Sequence, residues 1–358
     1  MLKILFSILD ENLKGGLPTH LPLLKDELKR FVELDTFNYS RKNDNENIIE
    51  KITGRLIDLI TIYYKINKFD PDIIHHNTAF DKKSIIRDAP LAFLVKREKA
   101  KLFIKIHGSF EETFNNLHFI FKQMRDYLLK NVDGIGVLSI EEKLEFEKKW
   151  SFLKGKVFVV KNIIRDEFFR ASRKESINPT ILFISRLIKK KGPFDLLEAI
   201  PLVLEKYSDT QFVFIGSGDD AAEFQSKVFS CEYKSNIVYS SHLANLDTIH
   251  FYEKAWMFVF PTHFPEGMPM VIAQAMAMGV PIITTKTRFS LSYMEEGTNC
   301  FYLNNCDAQE IANKILFLIY NDSLRKIMSN ANKELSKLFK KEKVIKEFIL
   351  IYNKLFFT

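Results

Sequence analysis

The segment from Trp256 to Thr285 constrains the fold more than any other part of this chain. It opens with the apolar run WMFVFPT, which predicts a buried parallel strand ended by proline. A polar loop with Glu266 and Gly267 follows, and residues 270–278 then have alanine- and methionine-rich helical spacing. Gly279 ends that helix, and the second strand PIITT comes next. The segment therefore predicts a βαβ unit.

A βαβ unit also predicts where a ligand binds. The site lies outside the carboxyl ends of the strands, where the amino terminus of a helix favours a phosphate. Glu266 stands at that end, and Gln274 follows eight residues later, two turns along the helix on nearly the same face. The arrangement suits a nucleotide-sugar.

The same residues resemble the signature of family-4 retaining glycosyltransferases, which is Glu-x7-Glu followed by an alanine-methionine-alanine helix and Gly-x-Pro. The resemblance implies an α/β GT-B fold, with two Rossmann-like domains whose parallel sheets face across a central cleft. It implies that Glu266 approaches the hydroxyls of the transferred sugar and that the second position holds the ribose diol. Gln274 departs from the signature, and a neutral amide lacks the bidentate, charge-assisted acceptance of a carboxylate. Donor affinity or nucleotide preference is expected to differ.

A second motif lies upstream, in ILFISRLIKKKGPFDLLEAI, residues 181–200. It resembles the Gly-Arg-Leu-x-x-x-Lys-Gly loop of the family, with Ser185 in place of the first glycine. Arg186 and Lys191 keep the spacing of five, which lets a guanidinium and an ammonium converge on one diphosphate. Lys189 and Lys190 are read as a solvated basic turn.

Two glycine loops are weaker signals. FVFIGSGDD, residues 212–220, is a strand entering a Gly-x-Gly loop and resembles the family's loop close to the nucleotide, at Gly216. LKILFSI, residues 2–8, precedes Gly15 and Gly16, which the family uses to bring backbone amides to the donor phosphate and the acceptor. Pro18 and Pro22 predict that the helix after this pair begins late.

His107 completes the expected site. It ends the strand KLFIKIHGS, and in the family a histidine here lies against the donor sugar and phosphate. The implied catalytic residues are Glu266 and His107, and the implied donor-binding residues are Gly15, Gly16, Arg186, Lys191, Gly216, Gly267, Met268, Met270 and Gln274. No metal and no cofactor other than the nucleotide-sugar co-substrate is expected, because the cationic pair can neutralise the leaving diphosphate.

Length and alternation of elements predict two domains. The 358 residues suffice for about two cores. We expect an acceptor-binding domain over residues 1–171 and a nucleotide-sugar-binding domain over residues 172–340, with the helix 341–358 packing back on the first. In the first domain, one helical face is expected in the core: Ile48, Ile49, Ile52, Leu56, Leu59, Ile60 and Tyr63.

Composition narrows the location and the partners. No apolar run approaches the roughly 18 residues of a membrane-spanning helix, so a cytoplasmic protein is expected. Three cysteines indicate free thiols. The net charge of +7 is either solvated surface charge or a contact with an anionic membrane at its inner face, for which LAFLVKREKAKLFIK, residues 91–105, is the candidate segment. No nucleic-acid-binding module accompanies the basic residues.

The resemblance implies a metal-independent, retaining hexosyltransferase. It would move a hexose-type sugar from a nucleoside-diphosphate sugar to a glycan or lipid-linked acceptor, in cell-surface polysaccharide or lipopolysaccharide biosynthesis. Two alternatives stay open: a nucleotide-sugar 2-epimerase, and a non-catalytic glycosyltransferase-like subunit, which the neutral Gln274 would suit.

Overall fold

A computed structural model describes residues 1–9, 16–39, 47–108, 117–241 and 243–357. The chain divides into two compact units: Met1–Ile163 with Lys341–Thr358, and Ile164–Lys340. Each unit contains one six-stranded sheet in which every strand pair is parallel. The predicted α/β architecture of two Rossmann-like domains is confirmed.

The strands are β1 Lys3–Ile8, β2 Glu33–Asn38, β3 Ile73–Thr78, β4 Lys101–Ile106, β5 Gly134–Val137, β6 Val157–Val159, β7 Thr180–Ile184, β8 Gln211–Ile215, β9 Ile237–Ser240, β10 Met257–Phe260, β11 Ile282–Thr285 and β12 Cys300–Leu303. The α-helices of the described residues are α1 Gly16–Leu28, α2 Ile48–Phe69, α3 Lys82–Val95, α4 Phe119–Lys130, α5 Ile140–Lys149, α6 Asp166–Arg170, α7 Pro193–Leu204, α8 Ala221–Ser230, α9 Ile249–Lys254, α10 Met270–Ala277, α11 Arg288–Tyr293, α12 Ala308–Tyr320, α13 Asp322–Ser336 and α14 Lys341–Phe356.

The sheet of the first unit has the order β2-β1-β3-β4-β5-β6. The interior strands are nearly continuous apolar runs because helices cover both faces of a parallel sheet. One face packs under α2 to α5, and the other packs under α1 and α14. The last helix thus belongs to the first unit, where Phe348 and Tyr352 are buried against Phe103 of β4.

The sheet of the second unit has the order β12-β11-β10-β7-β8-β9. The first strand along the chain, β7, lies in the middle and pairs with β8 on one side and β10 on the other. The chain therefore builds outward from β7 in two directions. The gap between β7 and β10 is the topological switch point, where open α/β sheets bind ligands beyond the carboxyl ends of their strands.

The boundary between the units lies earlier than the one predicted after residue 171. Residues 164–171 belong to the second unit because α6 packs there. Its Phe168 is fully buried and its ring meets Tyr252 of α9 edge to face. The polar stretch after α6 has the composition of a linker, but the boundary between the two units lies before α6, at residues 163 and 164.

Two helix predictions need correction. The helix after the Gly15-Gly16 pair begins at Gly16 rather than late, and it accommodates Pro22 in its interior. In α2, Leu56, Ile60 and Tyr63 are exposed, while Leu59 packs against the core as predicted and the buried positions include Ile62 and Ile66. The side chains of the other predicted core residues lie outside the described part of the chain: Ile48, Ile49 and Ile52. The apolar residues of α2 occupy two faces, and hydropathy alone does not say which one meets the sheet.

The segment 91–105 is only in part the exposed basic surface that the sequence suggested, because Lys96, Arg97 and Lys99 are exposed while other residues are buried. Leu91 and Val95 are buried residues of α3, and β4 places Lys105 in the interior. Among the described residues, no helix is long and apolar enough to span a membrane.

The corrected face of α2 gives a direct stability prediction. Replacing the fully buried Ile62 by alanine leaves a cavity and should lower the free energy of unfolding by about 2–5 kcal/mol. The matched change Ile60→Ala removes the same atoms at an exposed position and should change it by less than about 0.5 kcal/mol. Thermal unfolding followed by circular dichroism compares the two. Equal losses would show that the assigned face is wrong.

Candidate active site

Two loops meet at the switch point of the second unit. Arg186 follows β7, and the segment from Pro261 to Glu266 follows β10. These strands are neighbours, with Leu182 paired to Phe258, so the two loops leave the sheet at the same edge.

Gly192 allows the two loops to approach closely. It follows a single 3-10 turn at Lys189–Lys191 and has a φ of 80°. A Cβ atom at Gly192 would lie 2.2 Å from the carbonyl oxygen of Pro261. The backbone N–H of His263 also donates to the carbonyl of Lys190 at 2.9 Å. Only glycine combines this conformation with this contact.

The close approach brings Lys191 to Glu266. The ammonium forms an ion pair with Oε1 of the carboxylate, and the two residues are only 7 % and 8 % exposed. The hydroxyl of Thr262 donates to the same oxygen at 3.2 Å, and the Lys191 ammonium lies 4.5 Å from the ring centroid of Phe264. Burial lowers the pKa of Lys191, and the charge of Glu266 opposes that shift. The pair is therefore a largely desolvated charge pair.

Arg186 differs from Lys191 in its surroundings. It is exposed, and its side chain forms no ion pair with any residue that the structure describes. Its positive charge lowers the pKa of Lys191, so it lies within electrostatic reach of the pair. Of the two predicted phosphate-binding cations, Arg186 is the one whose charge no described carboxylate neutralises.

The glycine loop after β8 packs on the Arg186 loop. A Cβ atom at Gly216 would lie 1.8 Å from the carbonyl oxygen of Ser185. Beside it, the N–H of Leu187 donates to the carbonyl of Ser217 at 3.0 Å, and the Asp220 carboxylate accepts from the N–H of Lys189 at 2.7 Å. The predicted site residue Gly216 is thus placed against the loop that carries Arg186.

The helix α10 begins beside Glu266. Gly267 and Met268 are buried, and Met270 is the first, half-buried residue of the helix. The first N–H groups of an α-helix have no carbonyl partner within the helix, so this end favours an anion.

Gln274 lies deeper in α10. It is buried, and its Oε1 accepts from the hydroxyl of Tyr252 at 3.4 Å. Among the described residues, it shares no hydrogen bond with Glu266. The second signature position therefore contacts α9 in the interior of this unit.

In the first unit, His107 directly follows β4. Its Nε2 bonds Oδ1 of Asn77 at 2.8 Å, and the amide group of Asn77 donates to the carbonyl of Ser7 at 3.1 Å. An amide oxygen only accepts, so Nε2 of His107 carries the proton and Nδ1 carries the lone pair. Burial, then the positive charge of Lys105, hold the pKa of His107 well below its ordinary value. His107 is neutral.

Lys105 is an unexpected buried cation two residues before His107. Its ammonium donates to Oδ1 of Asn162 at 2.8 Å and to the carbonyl of Lys161 at 3.1 Å. Burial lowers its pKa to about 7, against the opposing charge of Glu347.

Of the predicted glycine pair, Gly15 lies outside the described residues, and Gly16 is the first residue of α1.

Comparisons with known proteins show similarity to glycosyltransferases. Residues 164–335 match the family described as Glycosyl transferases group 1. The capsular polysaccharide biosynthesis glycosyltransferase CapM of Staphylococcus aureus is 30 % identical over 182 residues, which are 49 % of this chain and 46 % of that protein. The chain thus spans about half the length of CapM.

Residues 164–335 form a glycosyl transferases group 1 domain.

Two further similarities extend beyond this domain. An uncharacterized glycosyltransferase of Methanocaldococcus jannaschii, MJ1178, is 26 % identical over 362 residues, covering 95 % of each chain. The structure of HepE from Anabaena in complex with UDP-glucose covers 99 % of both chains at 16 % identity, with a TM-score of 0.75. The fold is GT-B.

Sequence reasoning missed several residues of the glycosyl transferases group 1 domain and of the first unit. Thr262 and Phe264 shortly precede Glu266 in the same loop, so their closeness in sequence could have identified them. Asn77 is the penultimate residue of β3 and His107 directly follows the adjacent strand β4, so the pairing of these strands predicts their proximity. No sequence pattern indicated that Lys105 is buried, because lysine is usually found at the protein surface. Among the described residues, no group of His, Cys, Asp and Glu side chains is arranged to hold a metal ion.

The role of Gly192 in this domain is testable against a matched glycine. Gly297 has nearly the same φ, 81°, but open space where a Cβ would lie. The change Gly297→Ala should cost about 1–2 kcal/mol from backbone strain alone. Gly192→Ala should cost at least about 1–3 kcal/mol more, because the methyl group also meets the Pro261 carbonyl. Thermal unfolding midpoints measure both, and equal losses would contradict the close approach.

Proposed function

We propose that this protein is a retaining, metal-independent glycosyltransferase. It moves a hexose-type sugar from a nucleoside-diphosphate sugar to a glycan or lipid-linked acceptor. The observation that carries the proposal is the desolvated Lys191–Glu266 pair at the switch point, with Arg186 exposed at the same edge. The UDP-glucose bound in HepE, a protein of the same fold, supports the donor class.

Each part of the edge has a chemical role. The exposed Arg186 can bind the diphosphate through parallel N–H donors, which suits phosphate oxygens better than a point charge does. The amino terminus of α10 supplies further positive potential. Together they stabilise the charge that develops on the departing nucleoside diphosphate.

Glu266 positions the donor sugar. Both contacts described above use Oε1, from the Lys191 ammonium and the Thr262 hydroxyl. These contacts fix the orientation of the carboxylate, and Oε2 then accepts from hydroxyls of the sugar. Lys191 supplies the counter-charge for the buried carboxylate, and removing the cation would leave an unpaired buried charge.

His107 acts as a hydrogen-bond acceptor. With Nε2 engaged by Asn77, its Nδ1 lone pair can accept from a sugar hydroxyl. Because the ring is neutral, it orients the sugar and does not neutralise phosphate charge.

The transfer step follows the resemblance to family-4 enzymes. The acceptor hydroxyl approaches the anomeric carbon from the side of the leaving diphosphate, a new C–O bond forms, and the bond to the phosphate oxygen breaks. The departing diphosphate takes the proton of the hydroxyl. No redox change and no cofactor is involved.

The acceptor is proposed from the relatives. CapM is named for capsular polysaccharide biosynthesis, which supports a role in cell-surface polysaccharide assembly. Lipopolysaccharide biosynthesis belongs to the same proposal, with a lipid-linked acceptor. Such an enzyme would work in the cytoplasm at the inner face of the cell membrane.

The donor site is tested by titrating UDP-, GDP- and ADP-sugars into the purified protein by calorimetry. We expect one of them to bind, and Arg186→Ala to weaken that binding at least ten-fold through loss of charge-assisted hydrogen bonds. Lys190→Ala is the matched control, because it removes an exposed cation from the same loop and should change the affinity less than about two-fold. Equal effects of the two changes would contradict the assigned role of Arg186.

The two alternatives give different results with the bound donor. A transferase releases nucleoside diphosphate slowly by hydrolysis when no acceptor is present. A 2-epimerase converts the donor sugar to its epimer, and a non-catalytic subunit binds without turnover. Either of the last two outcomes would overturn the proposed reaction.

A further inference from the structure

Four basic side chains gather on one face of the sheet in the first unit. Lys105 lies in β4 and His107 directly follows this strand, so both side chains lie on the same face. His75 of β3 lies on that face too, with its ring centroid 5.0 Å from that of Phe103. The helix α1 covers this face, and the ring centroid of its His20 lies 6.1 Å from that of His107. We call the three histidines and the lysine the basic cluster.

Lys105 forms no ion pair with any residue that the structure describes. It is fully buried, and its ammonium donates to two uncharged acceptors, the amide oxygen of Asn162 and the carbonyl of Lys161. It also lies 5.0 Å from the ring centroid of Phe348 of α14. Glu347 of the same helix favours the charged form of Lys105, but its carboxylate pairs with the ammonium of Lys161 at 2.6 Å. Lys105 is therefore a buried cation that only neutral groups contact.

The three imidazoles of the cluster are uncharged. Burial, and then the positive charge of Lys105, holds the pKa of each ring well below its ordinary value, in His20, His75 and His107 alike. The hydroxyl of Tyr352 in α14 hydrogen-bonds Nδ1 of His75, and burial raises the pKa of that phenol, so it too is neutral. The cluster thus holds one positive charge, that of Lys105.

The titrations of Lys105 and His107 oppose each other. The pKa of Lys105 is about 7, so this side chain gains its proton as the pH falls through neutrality. An ordinary imidazole gains its proton at slightly lower pH, around 6.5, where the charge of Lys105 is already present. Because like charges repel strongly in buried surroundings, the first proton excludes a second one. Lys105 takes that proton before His107 does.

His107 is the member of the cluster that a ligand can reach. It is half-buried, whereas the other three side chains are buried. Its Nε2 is engaged by Asn77, and its Nδ1 has no hydrogen-bond partner among the described residues. In the neutral ring Nδ1 offers a lone pair, but in the protonated ring it carries a hydrogen and the ring attracts phosphate. The charge of His107 therefore decides which part of a sugar nucleotide it recognises.

We propose that Lys105 is a positioning residue that keeps His107 a hydrogen-bond acceptor for the donor sugar. It touches no substrate and acts through its buried positive charge, which excludes a proton from the neighbouring ring. This role rests on the proposed function, in which His107 contacts the donor sugar. An apolar side chain would fill the same place in the sheet without loss of hydration, but it would leave His107 free to take the proton.

The first test follows the histidine rings of the full chain by NMR as the pH is lowered, without any nucleotide. In Lys105→Met, which removes the charge and keeps the length of the side chain, His107 should take up its proton at a pH higher by at least about one unit than in the unchanged chain. Lys105→Gln also removes the charge but retains a donor for Asn162, so it provides a second uncharged chain if the methionine variant does not fold. The same protonation midpoint in charged and uncharged chains would overturn the proposal, as would a ring that stays neutral in both until the protein unfolds.

The matched control is Lys101→Met. Lys101 begins β4 on the same sheet face, is partly exposed and lies 3.8 Å from Asp133. At roughly 3.3 Å per residue it starts about 20 Å from His107, which is beyond the Debye length of about 10 Å. This variant should leave the protonation of His107 unchanged, and Lys105→Arg, which keeps the charge, should preserve the neutral ring. An equal shift in Lys101→Met and Lys105→Met would reduce the effect to net charge and overturn the proposal.

The second test measures sugar recognition by calorimetry, as the ratio of the affinities for a sugar nucleotide and for its nucleoside diphosphate. In the unchanged chain this ratio should be the same at about pH 8 and about pH 6. In Lys105→Met it should fall at least about three-fold at the lower pH, because the protonated ring binds the phosphates of both ligands and no longer accepts from a sugar hydroxyl. Binding with the same ratio in both chains at both pH values would overturn the role of Lys105 alone. No binding of any sugar nucleotide would overturn the proposed function, and this role with it.

Discussion

The Lys191–Glu266 ion pair is the interaction on which the candidate site depends. A buried carboxylate needs a counter-charge, and here the loop after β7 supplies one because it lies against the loop after β10. Gly192 makes this possible, because any side chain would meet the Pro261 carbonyl. The sheet topology brings the loops to one edge, and the missing Cβ lets them touch. Strand order and a single glycine thus determine where the candidate site lies.

Because of the same ion pair, the two cations at this edge of the sheet, Lys191 and Arg186, differ in their surroundings. The charge of Lys191 is paired with Glu266 inside the protein, and this ion pair holds the Glu266 carboxylate in one orientation. Arg186 is exposed on the neighbouring loop, and we propose that it binds the donor phosphate. In this proposal a buried cation orients a carboxylate and an exposed cation binds a phosphate, and the two side chains suit these roles. The ammonium is compact enough for the interior, while the guanidinium forms a bidentate fork.

The sequence predicted the architecture well, for physical reasons. Strand, loop and helix signals around Glu266 are local, and βαβ topology fixes which strand ends come together. It could not predict that Lys191 would pair with Glu266, because the contact joins residues 75 positions apart in the chain. It misassigned the face of α2, since apolar residues occupy two faces of that helix and only tertiary packing distinguishes them. Lys105 was missed for a similar reason, as its interior partners, Lys161 and Asn162, come from a distant strand end.

The most direct test of the ion pair is a double-mutant cycle in thermal unfolding. Lys191→Met and Glu266→Gln should each destabilise the protein, by about 3 kcal/mol for the change that leaves the carboxylate unpaired. The double change should cost clearly less than the sum of the two, because each single change removes the same interaction. Costs that simply add would mean that the two residues do not depend on each other, and the account of a single site built from both loops would be wrong.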